Sequence, residues 1–187
     1  INMNNFSDEE KIYLEKVVTN IPIKTKLLAH IIPGDLSTYI YKNESDYYKD
    51  YQNSFFAITK KKAGWDCMRH YEIVANGCIP VFLNIEDCPK YTMVLWPKNL
   101  LTEGNLLYNK YKDISFNKLT EKQTEECYSL IQKLLEHMRE KLITYKIANY
   151  ILDKTDYEKV EKILFLSGTN ENALRPDYLR CMTLHGF

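Results

Sequence analysis

The chain lacks net charge: its 25 lysines and arginines are balanced by 25 aspartates and glutamates. That excludes a chain-wide electrostatic attraction to nucleic acid or to an anionic membrane, so any anion site must be local. It also lacks any apolar run approaching the ~18 residues that a transmembrane helix needs. The opening residues, INMNNFSDEE, have no apolar core of the kind a signal peptide carries. Paired cysteines are missing as a pattern. The five present, Cys67, Cys78, Cys88, Cys127 and Cys181, are odd in number and scattered, which argues against a disulfide framework. Reduced, mostly buried thiols are expected, and they favour a reducing compartment such as the cytoplasm. There is no internal repeat and no low-complexity tract.

What remains is an ordinary globular composition. The 187 residues are 45% hydrophobic and 27% charged, enough for one domain with a sizeable core. A start at Ile1 rather than Met leads us to expect a piece of a longer chain.

Helix and strand signals alternate. Ser7-Asp8-Glu9-Glu10 reads as a capping box that opens a helix to about Val18. Lys26 to Ile32 is a short apolar run stopped by Pro33-Gly34-Asp35, as expected of a buried strand. Glu44 to Tyr51 reads as a short helix, and Phe55 to Thr59 as a strand by its aromatic and β-branched content. Trp65 to Asn76 has helical periodicity, with Gly77 at the C′ position. Cys78 to Leu83 is a continuous apolar strand, and Pro80 within it argues for an edge or a strand start. A short strand is expected at Thr92 to Trp96. A helical stripe of Leu130, Ile131, Leu134, Met138 and Leu142 runs from Thr120 to about Leu152, with room for a break. Lys162 to Leu166 reads as a strand, and Asp177 to His185 as a helix. The fold class is α/β, a mostly parallel Rossmann-like sheet with helices on both faces and a long C-terminal helical region. Residues 1–155 are expected to form a nucleotide-sugar-binding domain. Residues 156–187 would open a further βα unit, the start of a second domain.

The chemistry concentrates in Ser54 to Leu83, SFFAITKKKAGWDCMRHYEIVANGCIPVFL. In open parallel sheets, ligands bind beyond the carboxyl ends of the strands. Lys60-Lys61-Lys62-Ala63-Gly64 falls there and leads toward a helix N-terminus, where free N–H groups favour an anion. A solvated lysine loop is the plain alternative. On the helix, Arg69 and Glu72 stand three apart, with Asn76 a turn further on. A surface ion pair would suffice to explain them. Alternatively, Arg69 clamps a diphosphate and Glu72 accepts from the vicinal hydroxyls of a ribose. His70 is a possible accessory donor, or simply structural. Cys67, His70, Cys78 and Cys88 are spaced C-x2-H-x7-C-x9-C, which fits no compact zinc pattern, so no metal site is expected.

Arg69-x-x-Glu72 followed by Ala75-Asn76-Gly77-Cys78-Ile79-Pro80-Val81 resembles the R-x-x-E-A…G-C-I-P-V signature of exostosin-type glycosyltransferases. More broadly, it is similar to the nucleotide-sugar half of GT-B enzymes. Ser54 to Ile58 and Gly64 match the strand and glycine that precede the signature. The resemblance covers about residues 52 to 83. Ile73 stands where the family commonly has Ala, and the lysine-rich turn is also a departure.

The resemblance implies two Rossmann-like domains and a nucleotide-sugar substrate, such as a UDP-sugar, held in a cleft. It implies no metal or other cofactor, and a carbohydrate or glycan hydroxyl as acceptor. Carried over, Glu72 contacts the ribose, while Arg69 and Gly64 lie near the diphosphate. Lys60 and Lys62 would join Arg69 in stabilising the leaving nucleoside diphosphate. No residue stands out as a general base, which in such enzymes often comes from the other domain; His30 and Asp35 lie near the end of the first strand but read first as structural residues. A non-catalytic nucleotide- or carbohydrate-binding module of the same fold is the second expectation. The 15 tyrosines also suit carbohydrate or protein contacts.

Overall fold

A computed structural model describes residues 7–14, 16–155, 162, 164, 185 and 186. It has six α-helices and a small parallel sheet among those residues. The expected strand at 162–166 and helix at 177–185 lie almost wholly outside the described residues, as does the unit expected over 156–187.

Ser7 opens α1 (Asp8–Leu14) as a capping box. Its hydroxyl accepts from the Glu10 N–H at 3.3 Å, and the Glu10 carboxylate takes the Ser7 N–H at 2.8 Å. The helix stops short of Val18, and Lys16 adopts a positive φ of 56°. The chain then enters β1 (Lys26–Leu28), α2 (Glu44–Asn53), β2 (Ser54–Thr59), α3 (Met68–Ala75) and β3 (Ile79–Phe82). The strand order is β1-β2-β3, all parallel, with Leu28 opposite Phe56 and Phe56 opposite Ile79.

β1 is shorter than the apolar run predicts. The Ala29 N–H still reaches the Phe56 carbonyl, but the His30 N–H goes to Asp50 and the Ile32 N–H to Thr38. Side chains thus draw the backbone off the ladder.

Alternation along the strands sends the side chains to two packed faces. Ala57, with Tyr51 of α2 and Ile73 of α3, forms one buried cluster, so both crossover helices cover that face. On the other face Phe56 and Ile79 meet α4 (Lys98–Tyr111) and α5 (Glu121–His137). The Phe56 and Tyr108 rings lie 5.5 Å apart. Helices therefore cover both faces, as expected.

α4 was not anticipated from the pattern. Gly104 is what lets it close on the sheet: a Cβ there would stand 2.8 Å from Ile79 Cγ2 and 3.1 Å from the Pro80 carbonyl oxygen. The neighbouring Asn105 amide then acts as a missing strand. It accepts from the Phe82 N–H and donates to the Phe82 carbonyl, both at 2.8 Å. β3 is the edge strand of the described sheet, as Pro80 implies, and this amide serves its open side.

The strand expected at Thr92 to Trp96 is a pair of turns instead. The Thr92 N–H bonds to the Pro89 carbonyl and the Trp96 N–H to that of Met93, whose φ is 53°. α5 starts at a capping box of Thr120 and Gln123. The break within the long helical stretch is real. A π turn at Met138–Leu142 ends with Ile143 extended, and α6 (Thr144–Lys154) follows. Among the described residues, no helix is long and apolar enough to cross a membrane.

Candidate functional site

The helix α3 begins at Met68, three residues later than the periodicity predicts. The cause is His70. Its Nδ1 lies 2.8 Å from the Thr59 hydroxyl and its Nε2 lies 2.9 Å from the Trp65 carbonyl. Nε2–H donates to Trp65, so Nδ1 accepts from Thr59. Burial pushes the imidazole pKa down to about 4, and it stays neutral. The Trp65 carbonyl is thus spent on a side chain, and residues 65–67 form a strap rather than a helical turn. Trp65 stacks on Phe82 at 6.1 Å. Both His70 ring nitrogens are engaged within the chain, which leaves a ligand neither.

Arg69 is the unusual residue. It sits in the first turn of α3, just past the carboxyl end of β2, and is only 7% exposed. Nη2 donates to the Tyr39 hydroxyl at 2.8 Å, and the guanidinium lies 5.8 Å from the Tyr39 ring. Nε and Nη1 are buried with no hydrogen-bond partner among the described residues. Orphaned, desolvated donors of a charged group are costly, at roughly 1–3 kcal/mol each or more.

Glu72 does not pair with Arg69. Its Oε2 accepts from the Tyr47 hydroxyl at 2.9 Å, and Tyr47 in turn accepts from Tyr51 at 2.8 Å. Burial raises the Glu72 pKa; the Tyr47 hydrogen bond, then Arg69 and Lys62, oppose that rise. The simple surface ion pair that the i,i+3 spacing allows is therefore not formed. Two cavities meet at Glu72. One, of about 310 Å³, is walled by Tyr39, Tyr41, Tyr47 and Tyr48. The other, of about 210 Å³, has an apolar floor that includes Met68, Met138 and Leu142. Glu44, Tyr48 and Glu72 line both.

The lysines divide. Lys60 reaches across to the segment after β1, where a Cβ on Gly34 would lie 2.9 Å from its Nζ. Lys61 sits over the Trp65 ring at 4.9 Å. Lys62 is exposed and favours the charged form of Glu72. Residues 64–67 separate these lysines from the first turn of α3, so they are not a direct extension of its N-terminus. Gly64 has open space around its Cβ position. Asp35 is committed to a turn, accepting from the N–H and hydroxyl of Ser37, and those bonds hold its pKa down. His30 is exposed, with its ring edge-on to Tyr41 at 6.4 Å. Cys67 Sγ lies 3.3 Å from His70 Nε2, while Cys78 is fully enclosed with Ala57 and Ile73. Among the described residues, no three His, Cys, Asp or Glu side chains gather so as to hold a metal.

Sequence reasoning singled out Arg69 and Glu72 but missed Tyr39, Tyr47 and Tyr51, which fix them. The i,i+4 repeat of Tyr47 and Tyr51 was the available signal. No family model, curated protein or solved structure matches the chain.

Proposed function

We propose that the chain is the nucleotide-sugar-binding, Rossmann-like half of a GT-B-type glycosyltransferase, which transfers a sugar from a nucleoside diphosphate to a hydroxyl acceptor. The observation that carries this reading is Arg69: a buried guanidinium at the carboxyl end of a parallel strand, with two nitrogens unserved among the described residues and a carboxylate one turn away. A diphosphate supplies the acceptors that Arg69 lacks. Lys60 and Lys62 add positive charge from the same loop. Glu72 takes the ribose hydroxyls. In transfer, the bond from the anomeric carbon to the phosphate oxygen breaks, and a bond to the acceptor oxygen forms. The departing diphosphate gains charge, which fixed cations stabilise. The acceptor proton leaves to a base that the second domain would contribute.

Titration calorimetry with UDP, GDP and inorganic phosphate tests this. At least one nucleotide should bind more tightly than phosphate, with Arg69→Met weakening the nucleotide and Glu72→Ala removing its advantage over phosphate. Equal, weak binding of all three, unchanged by Glu72→Ala, would sink the reading. A non-catalytic module is the second reading, favoured by the commitment of Asp35 to its turn. Donor hydrolysis by the intact protein separates the two.

A further inference from the structure

Glu72 has one oxygen tied and one untied. Oε2 receives the Tyr47 hydroxyl, whereas Oε1 has no hydrogen-bond partner among the described residues. The tie is itself braced. Tyr51 is fully buried and donates to Tyr47, and the two rings meet edge to face at 4.9 Å, one turn apart on α2. A half-buried carboxylate that must accept from two adjacent hydroxyls needs a fixed orientation and an ionised state. A hydroxyl donor on its far oxygen supplies both.

We propose that Tyr47, braced by Tyr51, is the positioning residue of the site: it holds Glu72 so that Oε1 faces the tyrosine-walled cavity and accepts from a vicinal diol of the ligand. This rests on the reading of Glu72 as the ribose contact. The charged and titratable groups around the carboxylate are Tyr39, Tyr41 and Lys42 before α2, Tyr47, Tyr48 and Glu44 from α2, Arg69 and Tyr71 from α3, Lys62 from the loop, and Lys16 across the second cavity. Of these, Tyr47 is the one that hydrogen-bonds the carboxylate.

The experiment is calorimetry with UDP, 2′-deoxy-UDP and inorganic pyrophosphate across the acidic to neutral range. It compares the natural chain with Tyr47→Phe and Tyr51→Phe, each of which removes one oxygen. The natural chain should prefer UDP over its deoxy analogue by about tenfold, as a site built around a ligand hydroxyl does. In Tyr47→Phe that preference collapses toward unity, and the acid limb of UDP binding moves to higher pH. Pyrophosphate affinity changes by less than that preference does, since Tyr47 also favours the charged form of Arg69. Tyr51→Phe moves both readouts the same way by a smaller amount, and carries the test should Tyr47→Phe fail to fold. If the natural chain prefers UDP and both variants keep that preference and the pH limb, the positioning role is wrong while the Glu72 reading stands. If the natural chain shows no preference, the Glu72 reading falls and takes this proposal with it.

Discussion

Two buried cations, one at each end of the sheet, face the same desolvation cost and meet it differently. Lys24 lies at the amino end, 5% exposed, and its ammonium donates to the carbonyls of Gln52 and Gly77. Gln52, Gly77 and Lys24 itself lie two residues before β2, β3 and β1 respectively, so one side chain ties the entry of all three strands. Arg69 lies at the carboxyl end with similar burial, yet two of its nitrogens are unserved. The amino end is a closed knot, and the carboxyl end is left open. This asymmetry is what the proposed function rests on: fixed carbonyls serve Lys24, and under that proposal a ligand would serve Arg69.

The knot is the most sensitive point. Lys24→Met strands two carbonyls, and at roughly 1–3 kcal/mol for each orphaned group the loss should be about 4 kcal/mol. Burial pulls the Lys24 pKa down to about 8, so removing the buried charge offsets part of that loss. A urea midpoint that moves by the equivalent of less than about 1 kcal/mol would mean that the carbonyls find other donors and that the contrast with Arg69 is false.

His70 gives the next largest effect, and it lies at the carboxyl end beside Arg69, bound to Thr59 at the end of β2. Its pKa is about 4 in the folded chain against 6.5 ordinarily. Below 6.5 the unfolded chain takes a proton that the folded chain refuses, so stability is present above that pH and is lost as pH falls toward 4. The full drop is about 3 kcal/mol. Glu72, with its raised pKa, works in the opposite sense, so the comparison is with His70→Gln, in which the acid slope should largely vanish. An identical slope in both proteins would show that other groups carry it.

Gly104→Ala tests the covering of the edge strand. The new methyl must displace Ile79 or the Pro80 backbone, and overpacking of this kind costs about 1–3 kcal/mol, partly offset by roughly 1 kcal/mol of helix propensity. A net loss of about 1 kcal/mol, measured by thermal unfolding, is expected. A gain would mean that α4 has room to move off β3.

Local rules were legible in the sequence where short-range physics decides. Gly77 has the positive φ of a C′ glycine, 67°, and its N–H bonds to the Val74 carbonyl. Pro80 marks the edge, and the Ser7 box opens α1. Where tertiary contacts decide, the reading fell short. α4 holds Asn99, Thr102, Gly104 and Asn105, all poor helix formers, and its stability comes from packing on Ile79. Trp65 has good helical periodicity, but its carbonyl is spent on His70. The site divides in the same way. Arg69 and Glu72 share a helix and were visible as a pair. Their partners are distant: Tyr39 lies 30 residues from Arg69, and Tyr47 lies 25 residues from Glu72. No periodicity reports those contacts.

The smallest expected change in stability is the most informative one. Arg69→Met removes a hydrogen bond to Tyr39, worth about 1 kcal/mol. It also removes two buried nitrogens with no acceptor among the described residues, whose desolvation the folded chain now bears. The methionine keeps most of the apolar stem. Replacing a buried charge by an apolar side chain of similar length is often neutral or stabilising, so unfolding should shift by no more than about 1 kcal/mol in either direction, in contrast to Lys24→Met. Nucleotide affinity should nevertheless fall at least tenfold, because the loss of one charge-assisted bidentate contact is worth roughly 1.5–3 kcal/mol. A large loss of stability with intact binding would reverse the comparison: Arg69 would then be a second structural knot, and the open end of the sheet would be closed by contacts within the chain itself.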